Sequence, residues 1–228
     1  MQVQVFTVGS FQVNTYLLTD PATGQSAIVD TGETDELPQR LKALTPQPDL
    51  RMILLTHAHL DHAGALAGLQ DAYDLPTWMP RLERPLFETL PYQAQMFGLP
   101  MPPARCGRID HEIDDGGTVQ LGQTTLHFLS TPGHTPGQGC WHDDTDIIVG
   151  DTLFAGSIGR TDFPMSDPAL MVQSLRRLMA LPGHLRVWSG HGPMTTLDQE
   201  LRTNPFLGYL RRERGMAGPP GFCWAPGT

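Results

Sequence analysis

The chain has 228 residues, of which 39% are hydrophobic and 17% are charged. This length and apolar content predict one globular domain with a sizeable core, and they exclude a disordered chain. The formal net charge is −9, and fourteen of the fifteen cationic residues are arginines that form no basic stripe. The charge argues against nucleic acid or an anionic membrane as a partner, so we expect a small-molecule substrate.

The sequence also carries signals for its compartment. Cys106, Cys140 and Cys223 are widely spaced and form no C-x-x-C motif, which indicates free thiols in a reducing compartment. The first residues lack the basic segment of a signal peptide, and no apolar run has the length of a membrane helix. We therefore expect a cytoplasmic protein that is a monomer or a small homo-oligomer.

Three strand-like segments open the first half: "VQVFTV" (3–8), "VNTYLLT" (13–19) and "SAIVD" (26–30). The leucines of residues 35–44 then recur at helical spacing. Residues 51–56, "RMILLT", are a short apolar run that is typical of a buried strand. Residues 62–73, "HAGALAGLQDAY", predict a helix with Leu66 and Leu69 facing the core.

The second half repeats this order, beginning with four strand candidates: "GTVQLG" (117–122), "TTLHFLST" (124–131), "GCWHD" (139–143) and "DIIVGD" (146–151). Residues 167–181 predict a helix, with Asp167 as its N-cap and Pro168 at its first position. A strand at 186–190 and a last helix at 195–207 follow. The repeated order predicts an α/β fold in which each half forms a sheet, the two sheets pack face to face, and helices cover the outside.

Two segments differ from this pattern. Residues 80–105 are rich in proline, which allows only short helices. Their aromatic and methionine side chains either pack in the core or form an apolar wall beside an active site, and in the second case Phe97 binds substrate. Residues 211–228 are rich in glycine and proline, so we expect a catalytic domain at 1–210 followed by a loosely ordered tail.

Ligand-type side chains cluster in the sequence "THAHLDH" (56–62), between a predicted strand and a predicted helix. In an extended chain, residues two apart point the same way, so His57 and His59 can bind one ion together. Asp61 and His62 are offset from them and can bind a second ion. Four ligand-type residues are too many for one open catalytic zinc, and they suit two adjacent metals.

Three further ligand-type residues each lie at the exit of a predicted strand and stand beside glycine. His134 lies in "STPGHTPG", Asp151 in "IIVGDTL" and His191 in "VWSGHGP". Any one of them alone would pass as a turn residue. Together they supply the ligands that two metals still need.

The motifs "THAHLDH", "PGHT", "GD" and "GHG", in this order, resemble the metallo-β-lactamase superfamily, whose fold is an αββα sandwich of two mixed β-sheets. The resemblance runs from about Val3 to Leu207 and implies a role for each matching position. His57, His59 and His134 would hold the first metal, Asp61, His62 and His191 the second, and Asp151 would bridge both. We expect zinc, with iron or manganese as alternatives. His111, His127, His142 and His184 match no ligand position.

Within the superfamily, "GSIGRTDFP" (156–164) and "SGHGPMTTLDQELRTNPFL" (189–207) look like the small glyoxalase II-type hydrolases. That resemblance implies hydrolysis of S-lactoylglutathione or a related acyl-thiol by a metal-bridging hydroxide, with Asp61 as the catalytic residue that orients it. A thioester suits such a site because its leaving thiol has a pKa of about 8.5 and departs without a general acid. Arg160 either pairs with Asp162 to fix its loop or shapes the substrate pocket beside Asp151.

Three alternatives stay open. Persulfide dioxygenases share "GRTDF" and would hold one iron through His57, His134 and Asp151. A lactonase or a phosphodiesterase would use the same two metals. A non-catalytic metal-binding module is the third alternative, although such proteins are expected to have lost ligands.

Overall fold

Two six-stranded β-sheets form the centre of the computed structural model, which describes residues 1–99 and 106–212. The first sheet contains, in both chain and spatial order, β1 (Gln2–Val8), β2 (Val13–Thr19), β3 (Gln25–Val29), β4 (Asp49–Leu54), β5 (Thr77–Pro80) and β6 (His111–Ile113). The second sheet contains β7 (Thr118–Leu121), β8 (Thr124–Ser130), β9 (Gly139–His142), β10 (Asp146–Gly150), β13 (Arg186–Ser189) and β14 (Thr195–Thr196). A small hairpin pairs β11 (Leu153–Phe154) with β12 (Ser157–Ile158).

Both sheets are mixed. In the first, β1 to β3 pair antiparallel, whereas β3 to β6 are parallel. In the second, the spatial order is β14-β13-β10-β9-β8-β7, and only β10 and β13 run parallel. The predicted sandwich of two mixed sheets is therefore confirmed.

The helices lie in two groups. The first group is α1 (Glu36–Lys42), α2 (Leu60–Ala63), α3 (Leu66–Tyr73), α4 (Arg84–Phe87) and α5 (Leu90–Met96), and the second is α6 (Pro168–Met179), α7 (Leu197–Thr203) and α8 (Pro205–Arg212). Residues 80–99 contain only the short helices expected of a proline-rich segment, including a 3₁₀ turn at Arg81–Glu83. None of the helices in the described ranges has the length and apolar character needed to cross a membrane.

Three apolar clusters correspond to the layers of the sandwich. The middle cluster joins the facing sides of the sheets, for example Tyr16 and Leu54 with Phe128 and Trp141. A second cluster lies between the first sheet and the helices α1 to α5, and the third lies between the second sheet and α6 to α8. The order is helix, sheet, sheet, helix, as the predicted αββα architecture requires.

Two predicted helices are interrupted, each for a local reason. After α2, the N–H of Ala65 donates to the carbonyl of Gly32 at 2.7 Å, so it is not available to continue the helix. The last predicted helix breaks at Pro205, which has no N–H and pushes Asn204 into an extended conformation. By contrast, α6 begins as predicted, because the Asp167 carboxylate accepts hydrogen bonds from two N–H groups of the first turn.

The predicted tail begins at residue 211, yet α8 continues to Arg212. The remaining tail, with Cys223, lies outside the described residues, as do residues 100–105 of the proline-rich segment.

Candidate metal centre

Four segments at one edge of the sandwich, three loops and one loop that continues into α2, carry the predicted ligands. His57, His59, Asp61 and His62 follow β4, while His134 follows β8, Asp151 follows β10, and His191 follows β13. The structure brings all seven side chains together in three overlapping groups, whose ligand atoms lie within 4.8 Å of one another inside each group. Both sheets therefore contribute to one centre.

The first triad consists of His57, His59 and His134. His59 Nδ1 lies 2.9 Å from His134 Nε2, although the two residues are 75 positions apart in the chain. His134 Nδ1–H donates to the carbonyl of Arg160 at 2.8 Å, which leaves Nε2 as an acceptor. This hydrogen bond turns the imidazole of His134 toward the other two.

The second triad consists of Asp61, His62 and His191. His191 Nε2 lies 3.1 Å from Asp61 Oδ2, and His62 Nε2 lies 3.7 Å from the same oxygen. The Asp61 side chain is 18% exposed, whereas that of His62 is fully buried. The second triad is thus the more open half of the centre.

Asp151 lies between the two triads. Its carboxylate oxygens are 3.3 Å from His62 Nε2, 3.5 Å from His134 Nε2 and 3.7 Å from His191 Nε2. It also forms the third group, with His57 and His62. A carboxylate that reaches ligands of both triads is placed to bridge two ions.

Unpaired buried atoms test whether cations fit here. Within the described ranges, His57 Nε2, His62 Nε2 and Asp151 Oδ1 are buried and have no hydrogen-bond partner. A buried polar atom without a partner costs about 1–3 kcal/mol, so three in one place need an explanation. Imidazole nitrogens and carboxylate oxygens are ligands of zinc and of other divalent ions, and such ions would satisfy all three atoms.

Asp30 orients two of the histidines and was not predicted from the sequence. Its carboxylate accepts from His62 Nδ1–H, from the Thr56 amide and from the Thr56 hydroxyl, each at 2.8 Å. Since that hydroxyl gives its proton to Asp30, His57 Nδ1–H donates to the hydroxyl oxygen at 3.0 Å. Both imidazoles therefore present Nε2 to the centre. Asp30 is the last residue of the predicted strand "SAIVD" and directly follows β3, and this position at a strand exit could have indicated it.

The protonation states also suit cations. Burial lowers the pKa of all three imidazoles in the first triad, to about 3 for His59. Burial works against the charge of Asp61 and Asp151, but the neighbouring imidazoles, His62 foremost, together outweigh it and lower the pKa of both carboxyls. At neutral pH these five groups are already neutral imidazoles and carboxylates, the forms that bind metal. The nearby carboxylates raise the pKa of His62 and His191 against the effect of burial, so a cation must displace their protons.

The loop after β12 lies beside the first triad. Arg160 and Asp162 form the expected pair, with two hydrogen bonds of 2.9 and 2.8 Å. The Arg160 guanidinium lies 4.3 Å from the ring centroid of Phe163. That ring in turn lies 5.7 Å from His59 and 5.9 Å from His134. Phe163 therefore borders the first triad, and it was not predicted from the sequence.

Phe97 lies at the end of α5 and is 59% exposed, which excludes core packing for this residue. Its ring meets Phe11 edge-on at 5.0 Å. One helical turn earlier, the Gln93 side chain accepts from the amide of Leu60, the residue before Asp61. Phe97 therefore lies on the helix face that borders the ligand loop. Phe87, by contrast, is buried in the core.

The other four histidines lie outside all three groups. His111 stacks on Trp78, and His127 stacks on His142. His184 bonds to the carbonyl of Asp144. The expectation that they have structural or surface roles agrees with these contacts.

Comparison with known proteins places these features in context. The sequence matches the model of the metallo-β-lactamase superfamily over residues 8–191, a range that contains all seven clustered side chains. It is 37% identical over 217 residues to the hydroxyacylglutathione hydrolase GloC of Haemophilus influenzae. That match covers 91% of this chain and 98% of GloC.

Two solved structures are similar over nearly their whole length. TTHA1623, in a di-iron-bound form, is 38% identical with a TM-score of 0.80, and the match covers 90% of this chain and 100% of that chain. BLEG-1, a B3 metallo-β-lactamase, is 33% identical with a TM-score of 0.81 and coverages of 90% and 99%.

Proposed function

Because the chain belongs to the metallo-β-lactamase superfamily, we propose that it is a metal-dependent thioester hydrolase acting on S-lactoylglutathione or a related acyl-thiol. The observation that carries the proposal is the convergence of seven ligand-type side chains in one centre. The similarity to GloC supports the choice of a hydroxyacylglutathione as substrate. Its metal content, its substrate and its cytoplasmic localisation are parts of this proposal.

We assign the first triad to one ion, the second triad to another, and Asp151 to both. Two divalent ions in this arrangement would polarise the substrate carbonyl and provide a nucleophile at neutral pH. We propose zinc because histidine and carboxylate ligands suit it, with iron and manganese as alternatives. The di-iron form of TTHA1623 supports a centre with two ions.

Asp61 is the side chain that we propose as the catalytic residue. Its carboxylate is more exposed than that of Asp151, 18% against 10%, so it is the one that a water in the open half can reach. In the net reaction a water oxygen bonds to the carbonyl carbon, the C–S bond breaks, and the water proton goes to the thiolate. Asp61 would orient this water and hold its proton until the thiolate leaves.

A thioester suits the site because the neighbouring carboxyl groups outside the ligand set are already engaged. Asp30 holds Thr56 and His62, Glu83 accepts two backbone N–H groups, and Asp162 pairs with Arg160. A leaving amine would need a general acid, whereas a thiolate with a pKa of about 8.5 does not. Arg160 and Phe97 remain our proposed substrate-binding residues.

Phe97→Ala is expected to raise KM about 5-fold with little change in kcat. The exposed ring would contact substrate equally in the ground and transition states, and a partly buried aromatic contact contributes about 1 kcal/mol. Steady-state kinetics with S-lactoylglutathione and a thermal melt would measure both effects. Phe87→Ala is the matched control, because that ring is buried and its loss costs about 3–5 kcal/mol of stability. An unchanged KM with a lower melting temperature would contradict the role of Phe97.

The proposed function is tested by metal analysis and turnover on protein purified without chelator. We expect two metal ions per chain and hydrolysis of S-lactoylglutathione in preference to a lactone and to bis(p-nitrophenyl) phosphate. A β-lactam joins the panel because BLEG-1 is a B3 metallo-β-lactamase. One iron per chain with persulfide-dependent oxygen uptake would show a dioxygenase instead. Two bound metals without turnover of any substrate would leave a binding module.

A further inference from the structure

Two buried polar side chains outside the ligand set touch the loops that carry the ligands. Glu83 is 0% exposed and Asn14 is 5% exposed. We propose that they are positioning residues for opposite halves of the metal centre, Glu83 for the first triad and Asn14 for the second. The inference rests on the ligand set of the proposed function.

Glu83 joins the two loops of the first triad. Its Oε2 accepts from the amide of Ala58, between His57 and His59, at 2.7 Å. Its Oε1 accepts from the amide of Gly137, three residues after His134, at 2.6 Å. One carboxylate therefore fixes the separation of two loops that come from different sheets.

The packing around Glu83 leaves little freedom. A Cβ at Gly137 would lie 2.7 Å from the backbone nitrogen of Glu83, so the loops can approach only because residue 137 is glycine.

Burial raises the pKa of the Glu83 carboxyl, which means that its ionised form costs folding stability at neutral pH. Because the buried carboxylate lowers folding stability, its presence is better explained by the two ligand loops that it joins than by a contribution to stability.

Asn14 holds the loop of the second triad. From β2 its side-chain amide donates to the carbonyl of Ser189 at 3.1 Å and to that of Gly192 at 2.8 Å. Its backbone N–H donates to the carbonyl of Gly190 at 2.7 Å. Three carbonyls around His191 are thus fixed by one residue of the other sheet. In the part of the chain that the structure describes, Asn14 has no hydrogen bond to the loops that Glu83 joins.

The test measures Co²⁺ binding to each half separately. His191→Ala leaves the first triad complete, and His59→Ala leaves the second triad complete. Each would be titrated with Co²⁺, followed by its visible absorption and by competition with a chelator. Wild-type protein is expected to bind two Co²⁺ ions, and each single variant one.

In the His191→Ala background, Glu83→Gln is expected to raise the Co²⁺ dissociation constant about 10-fold, the lower end of the usual effect of residues that orient ligands. The amide keeps the shape of the side chain but turns one acceptor into a donor that faces an N–H. In the His59→Ala background the same change should have an effect under about twofold. Asn14→Ala is expected to give the reverse pattern. Glu83→Asp, which is too short to reach both loops, repeats the test if the glutamine variant does not fold.

Glu200→Gln is the matched control, since Glu200 is a 2% exposed carboxylate that accepts from Gly156 and Thr195 rather than from a ligand loop. It should lower the melting temperature and leave both Co²⁺ constants within about twofold. The inference would be overturned if Glu83→Gln weakened Co²⁺ binding equally in the two halves, or if Glu200→Gln weakened it as much as Glu83→Gln does. It would also be overturned if His191→Ala or His59→Ala alone lost both ions. Fewer than two ions in wild type would also overturn it. Two ions without thioester hydrolysis would refute only the proposed function.

Discussion

Asp151→Asn is expected to lower kcat/KM for S-lactoylglutathione by about a thousandfold. Asp151 is the carboxylate that approaches imidazoles of both triads, at 3.3 Å from His62, 3.5 Å from His134 and 3.7 Å from His191. Asparagine keeps its shape but removes the negative charge that holds two cations close together. Two adjacent ions contribute several kcal/mol to transition-state stabilisation, and about 4 kcal/mol corresponds to a thousandfold in rate.

The measurement is steady-state kinetics together with metal content, and both should fall. Asp144→Asn is the control, because it removes the same charge from an exposed position before β10, whereas Asp151 follows that strand. This control should change kcat/KM by less than about twofold. If Asp151→Asn kept two ions and normal turnover, the bridging role would be wrong.

Gly190→Ala is expected to reduce kcat/KM about a hundredfold. A Cβ at this position would collide with Asp151 Oδ1 and lie 2.6 Å from His62 Cε1, so a single methyl group displaces two proposed ligands. Misplacement by about 1 Å at a reacting centre costs on the order of a hundredfold. Kinetics and Co²⁺ absorption would show the loss of rate and the disturbed ligand geometry together.

Gly208→Ala provides the matched control. In α8 the added Cβ would meet, among the residues that the structure describes, only the end of the Arg212 side chain, at 3.7 Å. Alanine in a helix is favoured over glycine by about 1 kcal/mol, so this variant should be slightly more stable and fully active. Normal kinetics for Gly190→Ala would mean that the centre tolerates a shift of Asp151 or His62, which would refute our account of its geometry.

The ligand positions were predictable because each one has a local signal. His134, Asp151 and His191 all follow an apolar strand and stand beside glycine, and the fold carries such strand ends to a common edge. Amphipathic pattern likewise predicted α6 and its N-cap at Asp167. These signals lie within a few residues of the feature that they predict.

The supporting residues could not be predicted in this way, because their roles depend on distant partners. Asn14 looks like an ordinary strand residue until the second sheet brings Ser189 against it, 175 positions later in the chain. Glu83 lies in a proline-rich segment with no periodic pattern, and its role depends on the hydrogen bonds that it accepts from the amides of Ala58 and Gly137. The interruption of the helix after α2 also depends on a distant partner, because the carbonyl of Gly32 accepts a hydrogen bond from the N–H of Ala65.

Because the centre draws its side chains from both sheets, an ion bound there would act as a cross-link between the two halves of the chain. Binding to the folded form alone makes stability depend on free ion concentration, by about 1.4 kcal/mol for each tenfold rise above the dissociation constant. The ions that would activate the substrate would then also stabilise the folded chain. A low concentration of the ion would therefore lower both the catalytic rate and the stability of the contact between the two halves.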